Sequence, residues 1–187
     1  MNTDAYQNYS HEVSSWLHQG RMQLIRQVLS WYLTPDAKLS REILEVGAGV
    51  GQNIEVLRTL GTVDALEVDQ LGLDRLRSLA GVRRVFDTGI PSDLHGEWDV
   101  ICACDVIEHI EEDAAAVRWI FDRLRPGGLF LATVPAFQWL FSDHDRALGH
   151  YRRYDAKAFD ALLPQDAIRL SGSYFNTYIF PLTFTHT

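Results

Sequence analysis

The sequence predicts an α/β fold: a doubly wound, mostly parallel sheet with helices on both faces. Three observations predict it. Apolar runs of strand length alternate with segments of helical period from about residue 42 to residue 163. The first run, Ile43-Leu44-Glu45-Val46, passes directly into Gly47-Ala48-Gly49-Val50-Gly51, which reads as a buried strand, a tight turn and a helix start. Acids recur where the strands end, at Glu45, Glu67, Asp87 and Asp105. Open parallel sheets bind ligands at the carboxyl ends of their strands, so these four acids should gather around one crevice.

The elements follow in order. Residues 11–32 carry a helical stripe of Val13, Trp16, Leu17, Leu24, Ile25, Val28 and Leu29. Strands are predicted at 42–46, 63–68, 82–86, 98–103 and 129–134. Helices are predicted at 51–60, 71–80 and 113–124, stopped by Gly61, Gly81 and the turn Pro126-Gly127-Gly128. A fourth helix is predicted at 156–163, with Asp155 as its N-cap and Phe159, Leu162 and Leu163 facing the core. The stretch Ala167–Asn176 is expected to supply a sixth strand.

The chain has 187 residues, 47% of them hydrophobic, which is enough apolar material for the core of one domain. Its net charge is −8 and its pI about 5.3, which disfavours a nucleic-acid partner. Cys102 and Cys104 share one face of a strand. A disulfide between them would be badly strained, and two sulfurs make no closed zinc site, so reduced thiols in a cytoplasmic protein are expected. The polar N-terminus lacks the apolar segment of a signal peptide, and no run approaches transmembrane length.

The turn spacing is Gly-x-Gly-x-Gly, because Gln52 stands where a dinucleotide site wants its third glycine. Glu45 lies two residues before the first glycine. That carboxylate would repel a pyrophosphate and suit a ligand carrying an ammonium group. A nicotinamide-dependent oxidoreductase is therefore the weaker reading. Downstream, Val63-Asp64-Ala65-Leu66-Glu67-Val68-Asp69 reads as a second strand ending in an acid, whose paired acceptors match a vicinal diol.

Together with Val85-Phe86-Asp87-Thr88, Trp98–Ile110 and Leu124-Arg125-Pro126-Gly127-Gly128-Leu129, in this order, these segments resemble the motifs of the class I S-adenosylmethionine-dependent methyltransferases, whose sheet is Rossmann-like. The resemblance covers about residues 9–180. It extends to the broad group that includes ubiquinone-pathway O-methyltransferases and many uncharacterised bacterial members. Its implications are specific. The cofactor S-adenosyl-L-methionine would meet Glu45 and the backbone of Gly47, Ala48, Gly49 and Gly51 with its amino-acid end. Its ribose would meet Glu67, its adenine Val68, Asp87 and Thr88, and its methyl end the loop at Asp105. Arg21 is a candidate for the methionine carboxylate, by bidentate pairing. The equal alternative is an exposed helical arginine.

On the acceptor side the segment Val134–Tyr154 resembles a loop of that bacterial group, rich in His, Asp, Arg and Tyr. His109, His144, Asp145 and His150 are the candidate catalytic residues, any of which could serve a hydroxyl acceptor as base. His109 could equally anchor its loop. Glu111, Glu112 and Asp113 need no role beyond a helix N-terminus. Of Arg152 and Arg153, one is expected to bind an acidic acceptor and the other to pair with the domain's own acids. No metal site is expected, because these histidines lack a compact ligand spacing.

The expectation is a single methyltransferase domain over 1–187. It comprises an N-terminal helical cap at 1–35, a cofactor-binding core at 40–134 and an acceptor-side loop, helix and strand at 135–187. The activity expected is transfer of a methyl group to a small-molecule acceptor, most favourably an oxygen. Peripheral contact with a lipid-linked acceptor stays open. The alternative is a non-catalytic cofactor-binding or partner-dependent protein of the same fold. Sheets of this class hold seven strands, and the short, proline-interrupted Thr177–Thr187 is not expected to supply the last.

Overall fold

The computed structural model describes residues 16–33 and 41–175, with side chains from residue 19 onward. Five strands form one sheet in the order β3-β2-β1-β4-β5, and every ladder is parallel. They are β1 Glu42–Val46, β2 Thr62–Glu67, β3 Val82–Asp87, β4 Trp98–Cys104 and β5 Leu124–Thr133. Among the described residues six α-helices accompany them: α1 Trp16–Tyr32, α2 Ile54–Leu57, α3 Gln70–Ser78, α4 Asp113–Phe121, α5 Asp143–Leu148 and α6 Ala156–Asp160.

The strand period divides the core in two. Ile43, Val63, Ala65, Val100 and Cys102 point to one face, where they meet Ile25 and Leu29 of α1, Ile54 and Leu57 of α2 and Leu76 of α3. Leu44, Leu66, Ile101 and Ala103 point to the other, against Val117 and Ile120 of α4 and Tyr154. Both faces of the central strands are thus covered, which is why β1 and β4 read as continuous apolar runs. No helix among the described residues is long and apolar enough to cross a membrane. Both cysteines are free thiols in the described fold.

Strand order reverses between β1 and β4, so their carboxyl ends open the crevice in which such sheets hold ligands. The amino ends are tied by charge. Asp64, buried in β2, accepts from Arg83 at 2.6 and 2.9 Å, from Arg84 at 2.6 and 3.1 Å and from the Trp98 indole at 2.9 Å. Burial alone would raise the Asp64 carboxyl, but these donors outweigh it and hold the pKa down at about 2. Arg83 and Arg125 also pair with Glu42 on β1, at 2.6 and 3.2 Å.

Three expectations change. The helix after the glycine turn is short: turns fill 49–53, and helix forms only at Ile54–Leu57. β5 begins at Leu124 and carries the turn Pro126-Gly127-Gly128 within it, through an irregularity opposite Trp98 and Val100. Residues 167–175, expected as part of a sixth strand, pair with no strand among the described residues; they lie largely exposed, with Ile168 82% accessible. A strand needs a ladder partner for its amides, and this stretch has none on the sheet edge. Asn176 and the segment 177–187 expected to lack a seventh strand lie outside the described residues, as do residues 11–15 of the expected first helix.

Candidate active site

The turn after β1 brings backbone close to the end of β4. Gly47 takes a left-handed φ of 61°, and a Cβ there would lie 2.6 Å from a methyl carbon of Val106. The chain then turns through Ala48, Gly49 and Gly51, with the Ala48 amide donating to the Leu66 carbonyl at 3.0 Å. That bond fixes the turn against β2.

Two carboxylates flank this turn. Glu67, at the end of β2, accepts from the amides of Gly49, Val68 and Asp69 at 2.6, 2.7 and 2.8 Å. Three amides hold the carboxylate in one orientation at the mouth of the crevice. Asp69 does different work: it caps α3, accepting from the amides of Leu71 and Gly72. Glu45 is 1% exposed. Its Oε1 accepts from the Asn53 side chain at 2.6 Å, and its Oε2 has no hydrogen-bond partner among the described residues. Burial raises its pKa to about 7, against the opposing pull of Asn53 and the charge of Arg21. An ionised carboxylate so placed calls for a cationic or hydrogen-donating partner.

Arg21 reaches this region from α1. It pairs with Asp105, just past β4, and donates to Gln52 at 3.0 Å. Asp105 itself holds a φ of 56° and accepts from the Thr133 hydroxyl at 2.9 Å. Gln52, the residue that breaks the dinucleotide spacing, thus helps dock α1 over the crevice. Val68 is 66% exposed on the rim. Asp87 is exposed too, within 3.8 Å of Arg77, and with Thr88 it lines an open cleft of about 660 Å³ that runs to Pro91 and Leu94.

The second cluster sits above β4 on a 3-10 turn, Ile107–His109. Glu108 is fully buried, and neither of its carboxylate oxygens has a hydrogen-bond partner among the described residues. Burial, reinforced by the charges of Asp105 and Asp145, raises its pKa to about 8. Burial and the neighbouring His150 lower that of His109. The two imidazoles meet edge to face, with centroids 4.6 Å apart.

His150 arrives there because Gly149, at φ 81°, closes α5 in the left-handed conformation and reverses the chain. Its Nδ1 lies 2.9 Å from Asp145. Asp145 is the hub of the loop: buried, it also accepts from Arg153 at 2.8 and 2.9 Å and from the Ser142 amide at 2.9 Å. Burial opposes the charge, yet these donors hold the carboxyl well below its usual range. The loop is pinned to its surroundings by the Tyr151 amide on the Glu108 carbonyl at 2.8 Å, by Arg152 on Asp113 at 2.5 Å and by the Tyr154 hydroxyl on Asp113 at 2.9 Å. The isolated bridge between Ala136 and Tyr154 ties it to the exit of β5.

The expected residues therefore separate into groups. Glu45, Gly47, Ala48, Gly49, Gly51 and Glu67 surround one turn; Arg21 and Asp105 form a pair beside it. Val68, Asp87 and Thr88 lie toward β3. His109 and His150 meet, with Asp145 behind His150. His144 is exposed on α5. Arg152 and Arg153 both pair with carboxylates of the domain itself, Asp113 and Asp145. Asn53 was not expected at the site, and Glu108, on the loop above β4, was given no role there. An acid enclosed by the apolar run Val106-Ile107 and Ile110 was the signal for Glu108.

Known proteins carry the same architecture. The amino pentose methyltransferase CalS10 of Micromonospora echinaspora, solved with bound SAM, superposes with a TM-score of 0.56 at 22% identity, over 71% of this chain and 56% of its own. The plantazolicin methyltransferase BpumL, solved with SAH, gives 0.67 at 15% identity, over 86% and 68%. By sequence, the ubiquinone biosynthesis O-methyltransferase of Pseudomonas aeruginosa is 26% identical over 103 residues, 50% of this chain. This chain spans 44% of the length of that relative. The structural likenesses speak for the fold. The family is decided by a model of the methyltransferase domain that matches residues 9–168, a span that takes in α1, the glycine turn, the Glu67 carboxylate and the histidine pair. The chain belongs to the methyltransferase-domain family.

Proposed function

We propose that this chain is an S-adenosylmethionine-dependent methyltransferase acting on a small-molecule acceptor, with oxygen as the favoured methyl-accepting atom. One observation carries the reading: adjacent strands end in two buried carboxylates of complementary state. Glu67 is held rigid by three amides, and the Glu45 Oε2 is left without a partner among the described residues. A vicinal diol suits the first, and an ammonium group the second. Gly47 and Gly49, both at positive φ, place no side chain of their own in the turn.

The residues divide the cofactor among them. Glu45 and the backbone of Gly47, Ala48, Gly49 and Gly51 hold its amino-acid end, and Arg21 with Asp105 closes α1 over it. Glu67 takes the ribose hydroxyls. Val68 offers an exposed apolar surface to the adenine ring, and Asp87 and Thr88 stand at its amino edge. When bound, the cofactor supplies an electrophilic methyl group on a sulfonium. His109 and His150 stand on the acceptor side, with Asp145 fixing the His150 ring. Exposed His144 lies farther out on the same loop. Holding an acceptor in reach of the methyl group and away from water can contribute roughly 7–11 kcal/mol to the rate. The acceptor preference for oxygen draws support from the P. aeruginosa relative, an O-methyltransferase by name.

Calorimetric titration with S-adenosylhomocysteine, S-adenosylmethionine and NAD tests the reading. Saturable binding of the first two, at one shared site, is expected. Binding of NAD with no response to S-adenosylhomocysteine overturns it.

A further inference from the structure

The group Glu108, His109 and His150 has the composition and enclosure of a metal centre. One ligand atom from each residue lies within 4.8 Å of the others. Ligands on one ion stand about 3–3.5 Å apart at ordinary metal–ligand distances, so closing on a cation asks for small side-chain rotations rather than a backbone rearrangement.

Three further features fit a cation. A fully buried carboxylate with both oxygens unpartnered among the described residues is costly as an ion unless something positive meets it. His150 is already oriented: its Nδ1 faces Asp145 at 2.9 Å, which leaves Nε2 as the donor. That carboxylate–imidazole pairing is how metal-ligating histidines are held, and Asp145 is itself anchored by Arg153 and Ser142. Finally, the Tyr151 amide on the Glu108 carbonyl fixes the two ligand-bearing segments relative to each other. The negative charges of Asp105 and Asp145 act on the cluster, opposed by Arg21.

We propose that Glu108, His109 and His150 form a binding site for one divalent transition-metal ion, with Asp145 as the orienting partner of His150. Two imidazoles and one carboxylate favour zinc, cobalt, nickel, iron or manganese over magnesium and calcium, which prefer all-oxygen shells. Three protein ligands leave coordination positions open. Resting on the methyltransferase reading, those positions are where an acceptor oxygen would be seated, which narrows the acceptor to a molecule that presents a hydroxyl to a metal.

The test uses the whole chain, stripped with chelator and titrated with Co²⁺ and Zn²⁺. Binding is followed by the visible d–d absorption of cobalt, by calorimetry and by metal content after dialysis. One equivalent per chain is expected. Glu108→Gln and His150→Ala should each weaken binding at least about tenfold. His95→Ala, which alters an exposed histidine away from the cluster, should leave it unchanged. A wild-type chain that takes up no stoichiometric metal overturns the proposal, whatever the variants do. So does equal affinity in folded Glu108→Gln, which would mark the uptake as adventitious. Where a variant fails to fold by circular dichroism, His109→Ala at the partly exposed ligand replaces it. S-adenosylhomocysteine binding is measured in parallel. Metal uptake without it would sink the methyltransferase reading and leave the metal site standing; the reverse would sink the metal site alone.

Discussion

The Gly49 amide donates to the Glu67 carboxylate at 2.6 Å, joining the turn after β1 to the end of β2. The bond does two things at once. It fixes one carboxylate oxygen at the crevice mouth, and it holds the glycine turn in its bend with a charge-assisted contact. The proposed ribose acceptor and the proposed amino-acid cradle are thus one mechanical unit.

Glu67→Ala removes that unit's acceptor and leaves three amides facing the crevice. Hydrogen bonds to a charged group are worth about 1.5–3 kcal/mol each, so affinity for S-adenosylhomocysteine should fall at least about tenfold. Calorimetry on a variant shown to be folded checks it. Unchanged affinity would transfer the role to Asp69, which would then have to give up its cap on α3.

Glu45 should make cofactor binding and stability respond to pH in opposite senses. Burial raises its folded pKa from the ordinary 4.5 to about 7. A carboxyl with a raised folded pKa contributes stability fully present below about 4.5 and lost as pH rises through about 7. A ligand ammonium favours the ionised form. Affinity for S-adenosylhomocysteine should therefore rise between pH 6 and pH 8 while the melting temperature of the free protein declines. Glu45→Gln should flatten the binding trend and remove only its own share of the stability trend, because Glu108, with its pKa raised to about 8, keeps its share; persistence of the binding trend in that variant would assign it to another group.

Asp64 gives the converse case at the opposite end of the sheet. Its folded pKa is lowered to about 2 from 3.8, so its stabilisation is present above about 3.8 and lost as pH falls through about 2. The shift corresponds to roughly 2 kcal/mol. Asp64→Asn should lower the melting temperature at pH 7, and the difference from wild type should shrink on acid titration. A constant difference down to pH 2 would contradict the assignment.

Asp145→Asn strips the negative charge from Arg153 and from the His150 pair. Breaking a buried pair from one side costs about 3 kcal/mol or more. The melting temperature should drop by several degrees while affinity for S-adenosylhomocysteine holds, because Glu45 and Glu67 lie on another part of the crevice. Loss of cofactor affinity in step with stability would show that the loop and the glycine turn are coupled.

The strand and helix order was legible in the residues. β1 to β4 lie within a residue of their expected places, and β5 starts five residues early; the central strands β1, β2 and β4 were the clearest, because a buried parallel strand writes itself as a short apolar run. The glycine turn, Glu45 and Glu67 were legible for a related reason: a sharp bend between strand and helix demands glycine locally, and a flanking acid is visible beside it. Both are properties of neighbours in the chain. The cap Asp155 belongs with them, since it bonds the Ala158 amide three residues on.

What the tertiary structure decided is contact between distant segments. Arg21 meets Asp105 across 84 positions, and nothing in either local sequence names the other. Arg152 and Arg153 both went to internal carboxylates, a choice set by where the loop docks on Asp113 and Asp145. His150 joined Glu108 and His109 because Gly149 reverses the chain and the Tyr151 amide locks onto the Glu108 carbonyl. Residues 167–175 have strand-like composition in part, yet formed no ladder among the described residues, since a strand exists only where a sheet edge accepts it. Local pattern sets which elements a segment can form. Long-range packing and ion pairing set which side chains share a site, because those energies depend on the fold as a whole.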